Sequence, residues 1–297
     1  MKMGMKSFAV AAVAGATIAM GSFGSAQAAS GDKTITIGWT AWSDAEFVTK
    51  LSKKLIEQRT DYKVKLKMAS IGVQYQGVAD GNLDAMLMAW LPDTHAAYWK
   101  KVKDKVQDLG PLYNGAQLGW VVPDYVPKDK LNSISDLKKP SVKAKLDGKI
   151  QGIDPGAGLM QLSHKTMKAY GLKSDGYRLV SASGAAMTAA LARAEQRKEW
   201  IVVTGWTPHW MFGKWHLRFL KDPKGTLGSA QHIDAVVRQG FVKDYPEVAS
   251  FLSNMHIPLD QLQAAMYSAR KTSEQKAIKQ FIADHPDEVN SWFKKSS

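Results

Sequence analysis

From residue 34 onward the chain alternates short apolar runs with longer stretches of helical periodicity, and that alternation restricts it to an α/β architecture. Strands are expected at 34–39, 63–69, 84–90, 119–123, 149–152, 178–181, 200–206 and 233–237. The segment 63–69 alternates charged and apolar residues with a period of two, whereas 84–90 is apolar and rich in Met. Helices are expected at 43–58, 73–80, 159–170 and 185–197, and Thr94 is placed to cap one that carries Tyr98 and Trp99. Ser43 followed by Glu46 has the spacing of a capping box. Pro246, Pro258 and Pro286 mark helix starts in the C-terminal part. Repeated strand–helix–strand order implies largely parallel sheets with helices on both faces. Two such series, separated by a Pro-, Lys- and Asp-rich passage ending near Leu137, predict two lobes joined by two crossing strands. One lobe is expected to hold 29–121 and 237–297, with the C-terminal helices packed back on it, and the other 122–236.

The first residues bear on the compartment. Lys2 and Lys6 precede an apolar run over 8–20, and Ser25, Ala26 and Ala28 supply the small residues of a cleavage site. This pattern predicts a secretory signal peptide over 1–28, cut after Ala28. The run is shorter than the ~20 residues that cross a bilayer. Cysteine is absent, so neither a disulfide nor a cysteine-linked lipid anchor is available. Removing 28 of the 297 residues leaves 269, which must be held together by a buried core. A freely diffusing periplasmic monomer is the expectation. The net charge of +13, or +11 without Lys2 and Lys6, is spread over separate segments such as Lys53-Lys54, Lys100-Lys101 and Lys138-Lys139. With no run of five like charges, these read as solvated helix faces rather than a nucleic-acid surface.

Three tryptophans occupy the same kind of place. Trp42, Trp90 and Trp206 each stand where an apolar strand gives way to a helix start, the edge at which α/β sheets bind ligands. Indole faces arranged as walls attract a cation by roughly 0.5–2 kcal/mol each when water is excluded. A trimethylammonium group suits such walls better than a primary amine, because it has no N–H to satisfy. Sugars also bind tryptophan, but they need many polar partners, and these strand ends are short of Asn, Gln, Asp and Glu. Trp39, Trp120 and Trp210 are further candidates for the same neighbourhood, while Trp99, Trp200, Trp215 and Trp292 read as packing residues.

A second element, Asp154-Pro155-Gly156-Ala157-Gly158-Leu159-Met160, lies between a strand and a helix. Glycines there let backbone N–H groups at a helix start approach an anion. It is no dinucleotide fingerprint, since Gln161 stands where the third glycine belongs. His95, five residues after Trp90, is placed to donate to the same anion, with His209 as its rival. Cation walls beside an anion cradle describe one zwitterion, a quaternary ammonium carboxylate.

With these residues assembled, the chain resembles the glycine betaine and proline betaine binding proteins of ABC importers. The resemblance runs from Thr34 to about Phe293 and is carried by Ala89-Trp90-Leu91-Pro92-Asp93-Thr94-His95, Gly152-Ile153-Asp154-Pro155-Gly156-Ala157-Gly158 and Thr204-Gly205-Trp206-Thr207-Pro208-His209-Trp210. It implies a two-lobed, type II-like periplasmic binding protein that closes on its ligand like a hinge and delivers it to an inner-membrane permease. It further implies a tryptophan prism of Trp42, Trp90 and Trp206 around the trimethylammonium group, and a carboxylate held by His95 and the amides of Gly158 and Leu159. One related group binds choline through an acidic residue near the first tryptophan. Asp44 lies near Trp42, so choline is the alternative ligand.

An extracellular hydrolase is the rival from another class. No G-x-S-x-G, H-E-x-x-H or cysteine-centred motif is present, and the seven histidines lack a metal-ligand spacing. Neither enzymatic activity nor a metal or other cofactor is therefore expected.

Overall fold

The computed structural model describes residues 33–294. The signal-peptide reading of 1–28 and the cleavage after Ala28 lie outside the described residues. The chain runs β1 (Thr34–Trp39), α1 (Ser43–Arg59), β2 (Lys63–Met68), α2 (Ile71–Ala79), β3 (Ala85–Leu91), α3 (Ala96–Val102) and β4 (Val106–Pro123). It continues with α4 (Pro140–Leu146), β5 (Lys149–Gln151), α5 (Gly158–Ala169), β6 (Arg178–Val180), α6 (Gly184–Arg197), β7 (Val203–Thr207), α7 (Met211–Lys214) and β8 (Leu217–Phe219). Last come β9 (Gln231–Arg238), α8 (Phe241–Asp244), α9 (Pro246–Asn254), α10 (Leu259–Lys271), α11 (Glu274–Asp284) and α12 (Pro286–Ser291).

The strands form the order β2-β1-β3-β9-β4-β7-β5-β6, with β8 paired to the end of β4. The parallel pairs expected from strand–helix alternation are β2-β1-β3 on one side and β7-β5-β6 on the other. Between them β9 and β4 run antiparallel to their neighbours, so the sheet is mixed. Composition explains the ranking from edge to centre. Every residue of β3, Ala-Met-Leu-Met-Ala-Trp-Leu, is buried, while β2 turns its lysines outward at the sheet edge, where charge discourages further strand addition.

Helix α1 shows how the layers close. Phe47, Val48, Leu51, Leu55 and Ile56 recur at three- and four-residue spacing and are all buried against the sheet. Truncating Leu51 or Leu55 to Ala therefore leaves a core cavity and costs about 2–5 kcal/mol. The C-terminal helices return to this helix: Phe281 of α11 meets Phe47 edge-on with centroids 6.2 Å apart.

Strand β4 differs most from its expectation. Only 119–123 reads as strand in sequence, because Gly110, Pro111 and Gly115 punctuate the preceding stretch. The structure absorbs them as irregularities at Asp108/Pro111, Pro111/Tyr113 and Asn114/Ala116, with Gly115 at φ +76°. Just beyond, pairing changes hands: Ala116 still faces Gln231 of β9, and Gln117 already faces Thr207 of β7. The expected boundaries at 121/122 and 236/237 fall inside β4 and β9, and β9 lies wholly with β3 and the first part of β4.

Two expected caps are not formed. Trp42, with φ −96° and ψ 147°, is the N-cap of α1, so Ser43 is already helical and its hydroxyl donates to Met266 Sδ at 3.1 Å, while Glu46 pairs with Lys50. His95 takes the N-cap position of α3, and the Thr94 hydroxyl instead donates to Gln231 Oε1. In both places the turn is set by a tryptophan or histidine whose ring is committed elsewhere, and the capping residue is displaced by one.

Candidate ligand-binding site

Trp42 follows β1, and Trp90 and Trp206 are the penultimate residues of β3 and β7. All three lie at carboxyl ends of strands that run parallel to neighbours in their part of the sheet, and they line one cavity. His95, Gly158 and Leu159 line the same cavity, together with Thr94, Leu118, Ile153 and Ala157. The sequence-predicted residues are thus brought together by β1, β3 and the following turn on one side and by β5–α5 and β7 on the other.

Each indole has its N–H turned to a partner in the protein. Trp42 Nε1 donates to Asp154 Oδ2 at 3.0 Å, Trp206 Nε1 to Asp44 Oδ1 at 3.0 Å, and Trp90 Nε1 to Met88 Sδ at 3.1 Å. With these N–H groups engaged, the three indoles bring no free donor to the cavity they line. Aromatic walls without free N–H groups favour a cation that forms no hydrogen bonds of its own.

The protonation of His95 follows from its contacts. Its Nδ1 lies 3.1 Å from the backbone N–H of Trp90, which can only donate, so Nδ1 accepts. The Tyr75 hydroxyl, 3.3 Å away, faces the same nitrogen. The ring proton therefore sits on Nε2, for which no acceptor occurs among the described residues. Burial drives the imidazole pKa down to about 3, so the ring is neutral at ordinary pH and holds a single N–H for a ligand.

Opposite it stands the start of α5. The amides of Met160 and Gln161 both donate to Ala157 O, and the N-cap Ala157 provides no side-chain acceptor. The Gly158 and Leu159 amides find no acceptor among the described residues, as befits the first turn of a helix, and both residues line the cavity. Only glycine fits at 158: a Cβ there would lie 2.3 Å from Thr94 O, 2.7 Å from Thr94 Cγ2 and 2.8 Å from His95 Cδ2. Two amides and one imidazole N–H thus meet at one end of the cavity, with the positive end of a helix dipole behind them.

The turn bearing Thr94 and His95 is itself held. Gln231 Oε1 accepts from the amides of Asp93 at 3.0 Å and Thr94 at 3.2 Å. Asp93 Oδ2 in turn accepts from the Ser229 amide at 3.2 Å and Gln231 Nε2 at 3.1 Å. Sequence reading misses Gln231 because it stands 136 residues beyond His95, with no motif to mark it. It also gives Asp154 no role, although the residue lies inside the glycine turn.

The remaining candidates separate cleanly. His209 does not line the cavity; its Nδ1 accepts from the Met211 amide and its ring lies edge-on to Trp206 at 4.7 Å. Trp120 is fully buried and donates to Ser163 Oγ, Trp39 lies under Lys50, and Trp210 lies under Arg270. Asp44 does not line the cavity either: it is fully buried, bonded to Trp206 and to the Tyr113 hydroxyl at 2.8 Å. Burial pushes its carboxyl upward, against the opposing pull of Tyr113, Trp206 and the amides of Asp44 and Ala45. Among the described residues no cluster of His, Cys, Asp or Glu is placed to hold a metal, and no helix is long and apolar enough to cross a membrane.

Residues 33–284 match the family model described as the substrate binding domain of the ABC-type glycine betaine transport system. A curated glycine betaine/carnitine transport binding protein of Listeria monocytogenes is 40% identical over 144 residues, or 48% of each chain, so the match spans about half the length of that relative. A lactococcal protein solved in a closed, liganded conformation with glycine betaine is 37% identical, with a TM-score of 0.80 over 89% of this chain and 100% of that one. A glycine betaine/L-proline-binding protein of Borrelia burgdorferi is 30% identical, with a TM-score of 0.81 over 88% of this chain and 97% of that one.

Proposed function

We propose, from the premise that the chain belongs to the family of substrate-binding domains of ABC-type glycine betaine transport systems, that it captures glycine betaine or a close quaternary ammonium carboxylate for delivery to an inner-membrane permease. It is a binding protein and not an enzyme. The observation that carries the choice of ligand is the meeting of two kinds of lining in one cavity. Three indoles whose N–H groups are bonded elsewhere line it. So do His95, with its Nε2–H, and Gly158 and Leu159 at the start of α5. A trimethylammonium group against Trp42, Trp90 and Trp206 gains about 0.5–2 kcal/mol per face. Charge-assisted hydrogen bonds to the carboxylate add about 1.5–3 kcal/mol each. Summed, these contacts come to about 6–15 kcal/mol before association costs, against the ~8 kcal/mol of micromolar binding.

In this reading the two parts of the sheet are lobes that close on the ligand, because each supplies some of its contacts. Trp42, Trp90 and His95 come from one; Trp206, Gly158 and Leu159 come from the other. The pairing hand-over at 116/117 and the return into β9 at 231 support placing the hinge there. The basic and apolar leader supports export to the periplasm with removal of the signal.

The test is calorimetric titration of the mature protein with glycine betaine and, separately, with choline. Tight binding of glycine betaine and weak binding of choline is expected, since choline has no carboxylate for His95, Gly158 and Leu159. Tight binding of choline alone would keep the cage and overturn those three roles. Binding of neither would remove the ligand class.

A further inference from the structure

Two of the three cage indoles present their N–H ends to carboxylates, and both bonds cross between the two parts of the sheet. Trp42, beside β1, donates to Asp154, which follows β5; Trp206, in β7, donates to Asp44 at the start of α1. The two bonds are reciprocal: each part contributes one indole and one carboxylate. Trp90, by contrast, donates to the thioether of Met88 within its own strand. Neither Asp44 nor Asp154 lines the cavity, so each stands behind a wall rather than against the ligand. Asp44 is anchored there by the Tyr113 hydroxyl and by the first amides of a 17-residue helix.

A carboxylate on an indole N–H does two things at once. It polarises the ring and makes its face more negative, and its own charge acts across the ring in a medium from which water is excluded. Both effects reward a cation and give nothing to a neutral group of the same shape.

We propose that Asp44 and Asp154 are specificity-determining positioning residues. Acting through Trp206 and Trp42, they make the cage prefer a cation to its neutral isostere, and they do so only when the two parts of the protein meet. The inference rests on the reading that the cavity takes a quaternary ammonium carboxylate.

Asp154→Asn provides the test, because Asn retains an oxygen that accepts from Trp42 Nε1 and removes only the charge. Asp154 is only half-buried, and thermal melting of each variant verifies that it folds. Glycine betaine is compared with 3,3-dimethylbutanoate, in which carbon replaces the quaternary nitrogen and the carboxylate is kept; the weaker ligand is read by displacement. Asp154→Asn is expected to lower glycine betaine affinity about five- to tenfold, with less than about a twofold change for the isostere. Asp44→Asn should act in the same direction. Asp154→Ala should lose as much as Asp154→Asn if charge is responsible, whereas only the Ala variant loses if the hydrogen bond alone matters. Wild-type affinity for glycine betaine in Asp154→Asn, or an equal fall for both ligands, overturns the inference and leaves the proposed ligand standing. If the wild-type protein binds neither compound, the ligand class falls and the inference with it.

Discussion

Gly158→Ala isolates the contact on which the carboxylate end of the site depends. The added methyl would lie 2.3 Å from the backbone oxygen of Thr94, which is fixed by the Gln231 bonds to its turn and has no side-chain freedom with which to yield. Ordinary contact begins near 3.4 Å, so α5 must withdraw from Thr94 and His95 by about 1 Å. Amides that donate at ~2.9 Å then stand at ~3.9 Å, beyond hydrogen-bonding range. Two charge-assisted bonds at about 1.5–3 kcal/mol each are lost, or the ligand follows α5 and leaves its aromatic walls. Either way the cost is about 3 kcal/mol or more, at least a hundredfold in affinity. The clash lies between the two parts of the protein, and alanine is favourable in a helix, so the ligand-free variant should melt within a few degrees of wild type. Calorimetric titration with glycine betaine and a thermal scan of the free protein supply both numbers. Binding within threefold of wild type would mean that α5 does not approach Thr94 and His95 in the complex, and the carboxylate cradle would have to be given up.

Trp90→Ala and Trp206→Ala each remove a wall and should weaken glycine betaine binding by about 2 kcal/mol or more, roughly thirtyfold, in the same titration. Trp120→Phe should leave affinity unchanged, because that indole serves Ser163 and not the cavity. Acid should destabilise the fold through its buried histidines. Burial lowers His95, and burial with the nearby Arg270 charge lowers His209, each to about 3. The unfolded chain therefore binds more protons below pH 6.5, and this stabilisation, complete above that pH, is lost as pH falls toward 3. His209→Asn keeps an acceptor for the Met211 amide and removes the titration. Its urea-unfolding free energy should accordingly fall less steeply between pH 6 and 4, by up to about 1.4 kcal/mol per pH unit. An unchanged slope would count against a neutral buried ring.

The parts of the site that were legible in sequence are those with a local signature. A tryptophan at the point where an apolar strand yields to a helix start marks a strand end whichever strands later become its neighbours, and Trp42, Trp90 and Trp206 all carry that mark. The glycine turn before α5 was readable for the same reason. What joins these pieces was not readable. The bond from Trp42 to Asp154 spans 112 residues and that from Trp206 to Asp44 spans 162, and nothing local to either partner announces the other. The capping box at Ser43 was a sound local signal that lost to a tertiary contact of Ser43 with Met266 and to the pairing of Glu46 with Lys50 one turn along the same helix. Strand β4 was underestimated because Gly110, Pro111 and Gly115 are breakers by themselves and become bulges only when β9 lies alongside.

The side-by-side pairing of Ala116 with Gln231 has a consequence for the chain's construction. Residues 117–230 leave and re-enter the first part of the sheet at points one interstrand spacing apart, about 5 Å. That stretch is an inset: a continuous piece of chain whose ends are neighbours, as are those of domains that tolerate transplantation or recutting. Linking its ends and opening it elsewhere would preserve every strand pairing within it. The linear order in which the two parts are synthesised is thus independent of the architecture that brings their tryptophans together.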